Sequence, residues 1–392
     1  MTTGSDPETT RQSTRRDVVR YGGAVVGAGV LAGCLNSGPS ESEETGEGGY
    51  TVEISPAGAV TFDSPPETVF TRLTHHAGMA FALGRGDTVN AMHAPEYYDA
   101  LWNQFVERLP GVSLDWTGLY SSWEPDKEML YELNSDIHLA DVAGITQLNS
   151  WTRDDVDEIA TSVAPWFGNS LSDRHREPTG EWADGYRYYG LWEQFEIVAE
   201  AFQERERYRE LATIRRGLFD AIEADLPSDQ ARPTVALIGL SEIESPYVYT
   251  TDAPGFLTAH LRPFDPLDAF DASIASGDRV DMEAMLDADP DVIFALGGMV
   301  PETDMATLRT ELREHAVGQE LAAVENDRVY AQGARYQGPI LNLFQIEMTA
   351  KQLYPDRFGS WPTYEAGAYP EIPADEQLFD RQQVAAIITG DP

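Results

Sequence analysis

One cysteine, Cys34, occurs in 392 residues. A lone thiol excludes an internal disulfide and a cysteine-built metal cluster. Lysine is nearly missing as well: Lys127 and Lys351 are the only two, so almost all of the 27 basic residues are arginines. Against them stand 66 acidic residues spread through the whole chain, for a formal net charge of −39. A surface of that sign repels a phosphate backbone, and with no basic stripe present nucleic acid is not an expected partner. Also lacking are GxSxG, HExxH, a P-loop and a GxGxxG that follows a strand, and the seven histidines do not recur at metal-site spacing. Nothing in the chain therefore signals catalysis by those routes.

The acidic, lysine-poor composition resembles that of proteins from salt-loving archaea. Self-repulsion destabilises such a chain at ordinary salt, whereas multimolar salt screens charges within ~3 Å and removes most of that cost. Hydrophobic residues make up 42%, enough to fold. The length exceeds one comfortable core and predicts two domains of about 100 to 200 residues.

The first residues read as an address. Arg15 and Arg16 precede a Gly/Ala/Val run, Tyr21 to Ala32, which ends at Leu31-Ala32-Gly33-Cys34. The run is too short and glycine-rich for a stable membrane span and fits the apolar region of an export signal. The arginine pair resembles a twin-arginine signal, and LAGC resembles a lipobox, at which Cys34 is lipidated and becomes the mature N-terminus. LNSGPSESEETGEGG, residues 35–49, then reads as an acidic flexible tether.

A repeat organises the rest. DKEMLYELNSDIHLA (126–140) and DMEAMLDADPDVIFA (281–295) align without a gap, pairing Asp126 with Asp281, Glu128 with Glu283 and Asp136 with Asp291. Each copy predicts a short helix with an acidic first turn, then a buried strand of a parallel sheet. Earlier, Thr68 to Leu73 predicts a strand that turns at THH into a helix over Gly78–Leu83, and TVNAMH a second strand, together a βαβ unit. Leu191 to Leu226 is proline-free with helical spacing and predicts two helices meeting near Gln203. The expected fold is α/β: two lobes, each a mainly parallel sheet flanked by helices, joined by a long rigid interlobe helix. The expected divisions are 1–34, 35–49, a lobe over 50–190, a helical connector over 191–231 and a lobe over 232–392.

Together with AAVENDRVYAQG and YQGPILNLFQIEMTAKQLYPDRFG, the two copies make residues 60 to 355 resemble the substrate-binding lipoproteins of ABC importers for iron-siderophores, haem and vitamin B12. The first copy has Ser135-Asp136 where that family usually has Pro-Asp. The resemblance implies an extracytoplasmic, lipid-anchored monomer without enzymatic activity or cofactor, which hands a metal chelate to an ABC permease and its ATPase. It also implies that Glu128 and Glu283 dock onto permease arginines, a task for which two separated exposed carboxylates are suited.

Ligands of open α/β sheets bind past the strand carboxyl ends. That rule nominates His75 and His76, Tyr120 and Trp123, Tyr247 and Tyr249, Met299, and Arg335 with Tyr336 as ligand-binding residues. Arg335 can pair with an anionic chelate through charge-assisted bonds. A haem receptor of the same fold would need an axial residue such as His75 or Tyr336, and a corrinoid receptor is a further variant. From another class, a chelatase-like enzyme shares two lobes, but export and an anchor argue against it; an adhesion lipoprotein would call for β-rich repeats, which the sequence lacks.

Overall fold

The computed structural model describes residues 49–174, 176–227, 232–239, 243–270 and 272–390. The expected export signal with Cys34, and all of the tether except Gly49, lie outside the described residues.

An antiparallel hairpin, β1 (Tyr50–Ile54) and β2 (Gly58–Phe62), opens the fold. The first sheet combines β3 (Val69–Thr71), β4 (Val89–Met92), β5 (Tyr120–Ser121) and β6 (Ile137–Leu139) in the order β5-β4-β3-β6, every neighbour parallel. The second holds β7 (Thr234–Gly239), β8 (Tyr247–Tyr249), β9 (Leu267–Asp268), β10 (Val292–Leu296) and β11 (Val329–Ala331). Its order is β11-β10-β7-β8 with β9 also on β7, and β8 alone runs antiparallel. Two mainly parallel sheets flanked by helices are thus observed as expected.

The repeat has a physical meaning. Asp126 caps the helix Lys127–Leu133 by accepting from Met129 N, and Asp281 caps Met282–Ala288 by accepting from Ala284 N. Both helices end on a left-handed residue, Asn134 (φ 48°) and Asp289 (φ 36°). Asp136 then accepts from the backbone of Glu67 and Thr68 at the start of β3, while Asp291 accepts from the backbone N and hydroxyl of Thr234 at the start of β7. In each copy the paired aspartates start a helix and tie the next strand to its neighbour.

The connector is two helices, Leu191–Ala201 and Arg205–Asp225, with the chain turning at Gln203 (φ 56°). Arg207, near the start of the longer one, donates to the carbonyls of Leu83 and Ile388, and the chain beyond its far end leads into β7. Between the halves lies the helix Pro339–Leu353, buried at every residue. A helix apolar all round would suit that position, but this one carries polar groups that all need partners. Glu347 accepts from Arg381 (2.7 Å), Tyr369 (2.8 Å) and Leu378 N, and Lys351 donates to the Phe358 carbonyl. Asn342 accepts from Trp192 and donates to Gln337, which itself donates to the Leu257 carbonyl. Unpartnered, each would cost about 1–3 kcal/mol.

THH is not a turn. The helix runs over Thr74–Ala82, so His75 and His76 form its first turn and are fully buried. Burial pushes His76, His138 and His260 down to about 3 and His75 well below its ordinary value, so all four stay neutral at pH 7. Unfolded, each would take up a proton near 6.5, so below that pH the unfolded chain binds more protons. For His76, His138 and His260 the stabilisation is complete above pH 6.5 and is lost as pH falls towards 3, by about 2 kcal/mol each at pH 5. Protonation of surface carboxylates relieves repulsion and acts in the opposite sense, so a variant must be compared with its parent. His138 packs between Phe70 and Trp166. His138→Phe should therefore lose less stability between pH 7 and pH 5 than the parent, by about 2 kcal/mol, in thermal melts at the two pH values; equal losses would show that the imidazole does not titrate on unfolding.

Candidate functional site

The strand ends of the two sheets face a shared cavity of about 720 Å³, within the usual range for small-molecule sites. From the first half it is lined by Arg72 and Leu73 just past β3, Trp123 and Glu124 past β5, Gly144, the stretch Gln147–Ser150 and the residues Ser170, Leu171, Asp173 and Arg176. From the second half come Tyr247 and Tyr249 on β8, and Arg335 with Tyr336 past β11.

Each wall is held by local chemistry. The Ser122 hydroxyl donates to the Thr71 and Arg72 carbonyls and fixes the exit of β3. Arg72 donates to the Trp123 carbonyl at 3.1 Å and lies over the Trp123 ring at 5.1 Å, while its Nε is buried without a partner. Burial lowers its pKa from the ordinary guanidinium value. Behind this pair His93 sits 4.3 Å from the Trp123 ring, pushed down to about 4 by burial and then by Arg72 and Arg335.

Asp141 organises the opposite rim. Its buried carboxylate accepts from Ser170 N (2.7 Å), Leu171 N (3.2 Å), Ala143 N (2.9 Å) and the Tyr186 hydroxyl (2.6 Å). Burial raises its pKa, and those hydrogen bonds work against the rise. The loop so held carries Asp173, which pairs with Arg335 of the other half at 3.1 Å. Arg335 also lies 5.0 Å over Tyr249 and 4.9 Å over Tyr336, and its Nε has no partner. Burial disfavours its charge, but Tyr336, Asp173 and Tyr249 more than offset this and raise its pKa.

Of the residues nominated from sequence, Arg335, Tyr336, Trp123, Tyr247 and Tyr249 converge on the cavity wall. Tyr120 does not: it is exposed on β5 and donates to Glu132. His75 and His76 do not either, because the helix that starts at Thr74 turns both inward. His75 stacks on Phe256 at 3.9 Å and lies tilted against His76 at 3.9 Å, with no exposed surface, which removes the axial role a haem reading would give it. Tyr336 reaches the cavity, but burial raises its phenol, so it is not poised as a phenolate ligand. Met299 is fully buried and does not line the cavity. Missed were Arg72, Arg176 and Asp173. Arg72 directly precedes Leu-Thr-His-His at the very strand end the rule pointed to; Arg176 and Asp173 follow Trp166, which joins the edge of β6 through one isolated bridge that carries no sequence signal.

Glu128 and Glu283 occupy matching places in the first turns of the two capped helices, both exposed. No group of three or more His, Cys, Asp or Glu among the described residues could hold a metal ion, and no described helix is long and apolar enough to cross a membrane.

Residues 165–336 match the family model described as "Periplasmic binding protein". The Fe(3+)-citrate-binding protein YfmC of Bacillus subtilis is 21% identical over 312 residues, 77% of this chain and 84% of that one. The fold is similar to that of the petrobactin-binding protein YclQ of Bacillus subtilis (TM-score 0.55, 16% identity, 80% of this chain and 99% of that one). It is also similar to that of the ABC-type Fe3+-hydroxamate transport system of Saccharomonospora viridis (TM-score 0.53, 19% identity, 78% and 98%).

The cavity floor is a seam between the halves. A Cβ placed on Gly255 would lie 2.5 Å from the backbone nitrogen of Asp173. Gly255→Ala should force that seam apart, destabilise by roughly 1–3 kcal/mol and misplace Asp173. Denaturant unfolding of the two proteins measures this, and an unchanged midpoint would mean that the seam is loose.

Proposed function

We propose that the chain, whose residues 165–336 match the periplasmic binding protein family model, captures an anionic ferric chelate in the cavity between its halves and delivers it to an ABC permease and its ATPase. The observation that carries the ligand's sign is the convergence of Arg72, Arg176 and Arg335 on one cavity in a chain of net charge −39. Arg176 is exposed at the cavity and, among the described residues, has no ion pair. Such an arginine is available to a ligand's own anionic groups, carboxylate or catecholate, through charge-assisted hydrogen bonds. Trp123, Tyr247 and Tyr249 supply flat apolar faces for the ligand's body. The relatives that bind ferric citrate, petrobactin and hydroxamates agree with a ferric chelate as the class.

In this reading the protein works outside the cytoplasm as a monomer and as a receptor, not an enzyme. The Arg15-Arg16 signal exports it folded, lipid on Cys34 holds it at the membrane, and residues 35–49 let the folded part reach its permease. The acidic surface keeps it soluble in concentrated salt. Glu128 and Glu283, matched in fold position, are the two points that meet the permease.

Two measurements test this. In multimolar KCl, ferric citrate or a ferric hydroxamate should quench the tryptophan emission saturably, because Trp123 is 43% exposed on the cavity wall. Arg176→Ala should weaken the binding of the anionic chelate about tenfold or more, the worth of a hydrogen bond between charged groups, with an unchanged melting temperature. Saturation by neither chelate would refute the reading. Separately, Glu128→Ala with Glu283→Ala should leave affinity within about twofold while uptake by the reconstituted transporter is lost; a collapse of affinity would place these glutamates in the fold or the site instead.

A further inference from the structure

Resting on the chelate-receptor reading, we propose that Asp173 is a built-in counter-anion that sets the charge of the ligand the cavity accepts. Three arginines and two carboxylates, Glu124 and Asp173, line it, which leaves a surplus of one positive charge. The two carboxylates are not equivalent. Glu124 is exposed at the rim, whereas the side chain of Asp173 is 5% exposed and is paired with Arg335, itself 18% exposed. At that depth the pair is little screened by salt, unlike a surface pair.

Asp173 is also held where it is. Asp141 grips the loop through Ser170 N and Leu171 N, and the backbone of Gly255 abuts Ser172 and Asp173 closely enough that no Cβ fits between them. Arg335 is fixed from its own side by the rings of Tyr249 and Tyr336, and the adjacent Gln337 is tied to the Leu257 carbonyl. An anionic group of the ligand therefore meets Arg335 with its charge already answered by an internal carboxylate at 3.1 Å. It must share the guanidinium with Asp173, and each further negative charge on the ligand adds repulsion from a carboxylate held in place. The pair thus favours chelates of low negative charge over polyanions, while Arg72 and Arg176 still exclude cationic ones. Discrimination of this kind comes from a repulsive element built into the site.

The test compares the intact protein with Asp173→Asn, an uncharged residue of the same shape, in multimolar KCl. Ferric citrate serves as the polyanionic chelate and ferrichrome as a neutral one, with affinities from tryptophan quenching and folding from thermal melts. The amide should raise the affinity for ferric citrate about tenfold relative to ferrichrome, equivalent to about 1.4 kcal/mol. Arg335→Gln should change the same ratio in the opposite direction, and it provides a second reading if the asparagine variant is unstable. An unchanged ratio in both variants, or parallel losses for both chelates, would overturn the proposal and leave Asp173 a structural residue. Binding of neither chelate by the parent protein would overturn the receptor reading and this inference together, whereas binding by the parent with an unchanged ratio overturns only the inference.

Discussion

The cavity depends on how closely the two halves approach, and glycine sets that distance. Gly78, in the helix Thr74–Ala82, meets Gly338, at the head of the buried helix Pro339–Leu353, so tightly that a Cβ on Gly338 would lie 2.8 Å from the Gly78 Cα. Gly255 makes a similar approach to Ser172 and Asp173 on the cavity floor. At both points main chain approaches main chain, and at the first the Trp102 ring closes the remaining space. Dense interiors transmit such constraints with little loss. Around these contacts the polar chain from Trp192 through Asn342 to Gln337 fixes the loop that presents Arg335 and Tyr336.

The electrostatics divide in the same way. The exterior is so acidic that the molecule repels itself at low salt, and several arginines there answer nearby carboxylates: Arg153 with Asp157 and Glu181, Arg313 with Asp327, Arg85 with Glu204. Exposed pairs of this kind contribute little to stability. The cavity uses arginine differently. Arg72 is satisfied by a carbonyl and an aromatic face, Arg335 by two rings and one buried carboxylate, and Arg176 by no described group. Concentrated salt screens the exterior pairs and leaves the deep one nearly intact, so a receptor built this way keeps its selectivity where surface steering has been abolished.

Much of the fold was legible because it rests on local chemistry. Asp126 and Asp281 cap, Asp136 and Asp291 tie strands, and such roles survive in a repeat because each involves partners a few residues away or one strand over. The joint at Gln203 was legible from a break in helical spacing. The site was legible only in part. The rule of strand carboxyl ends located Arg335, Tyr336, Trp123 and Tyr247, but it cannot tell which side chain at a strand end points outward. At Arg72-Leu73-Thr74-His75-His76 the chain enters a helix two residues after the arginine, so Arg72 faces the cavity and both histidines face the core. Asp173 was illegible for another reason: its role is defined by Arg335, 162 residues away, and no periodicity encodes a pair formed across two halves.

A stiff connection changes what affinity can rest on. Receptors hinged on flexible strands gain discrimination by closing over a ligand, which spends part of the binding energy on ordering. Here the long helix Arg205–Asp225 is anchored at one end by Arg207 to Leu83 and Ile388 and leads at the other into β7, and two glycine contacts hold the seam between the halves. A frame held this way favours a cavity whose groups already stand where the ligand needs them. Preorganisation of that sort lowers the entropic cost of binding and makes the fixed charges the main selector. A carboxylate locked against Arg335 then acts as a standing condition on the ligand, because the framework gives it nowhere to retreat.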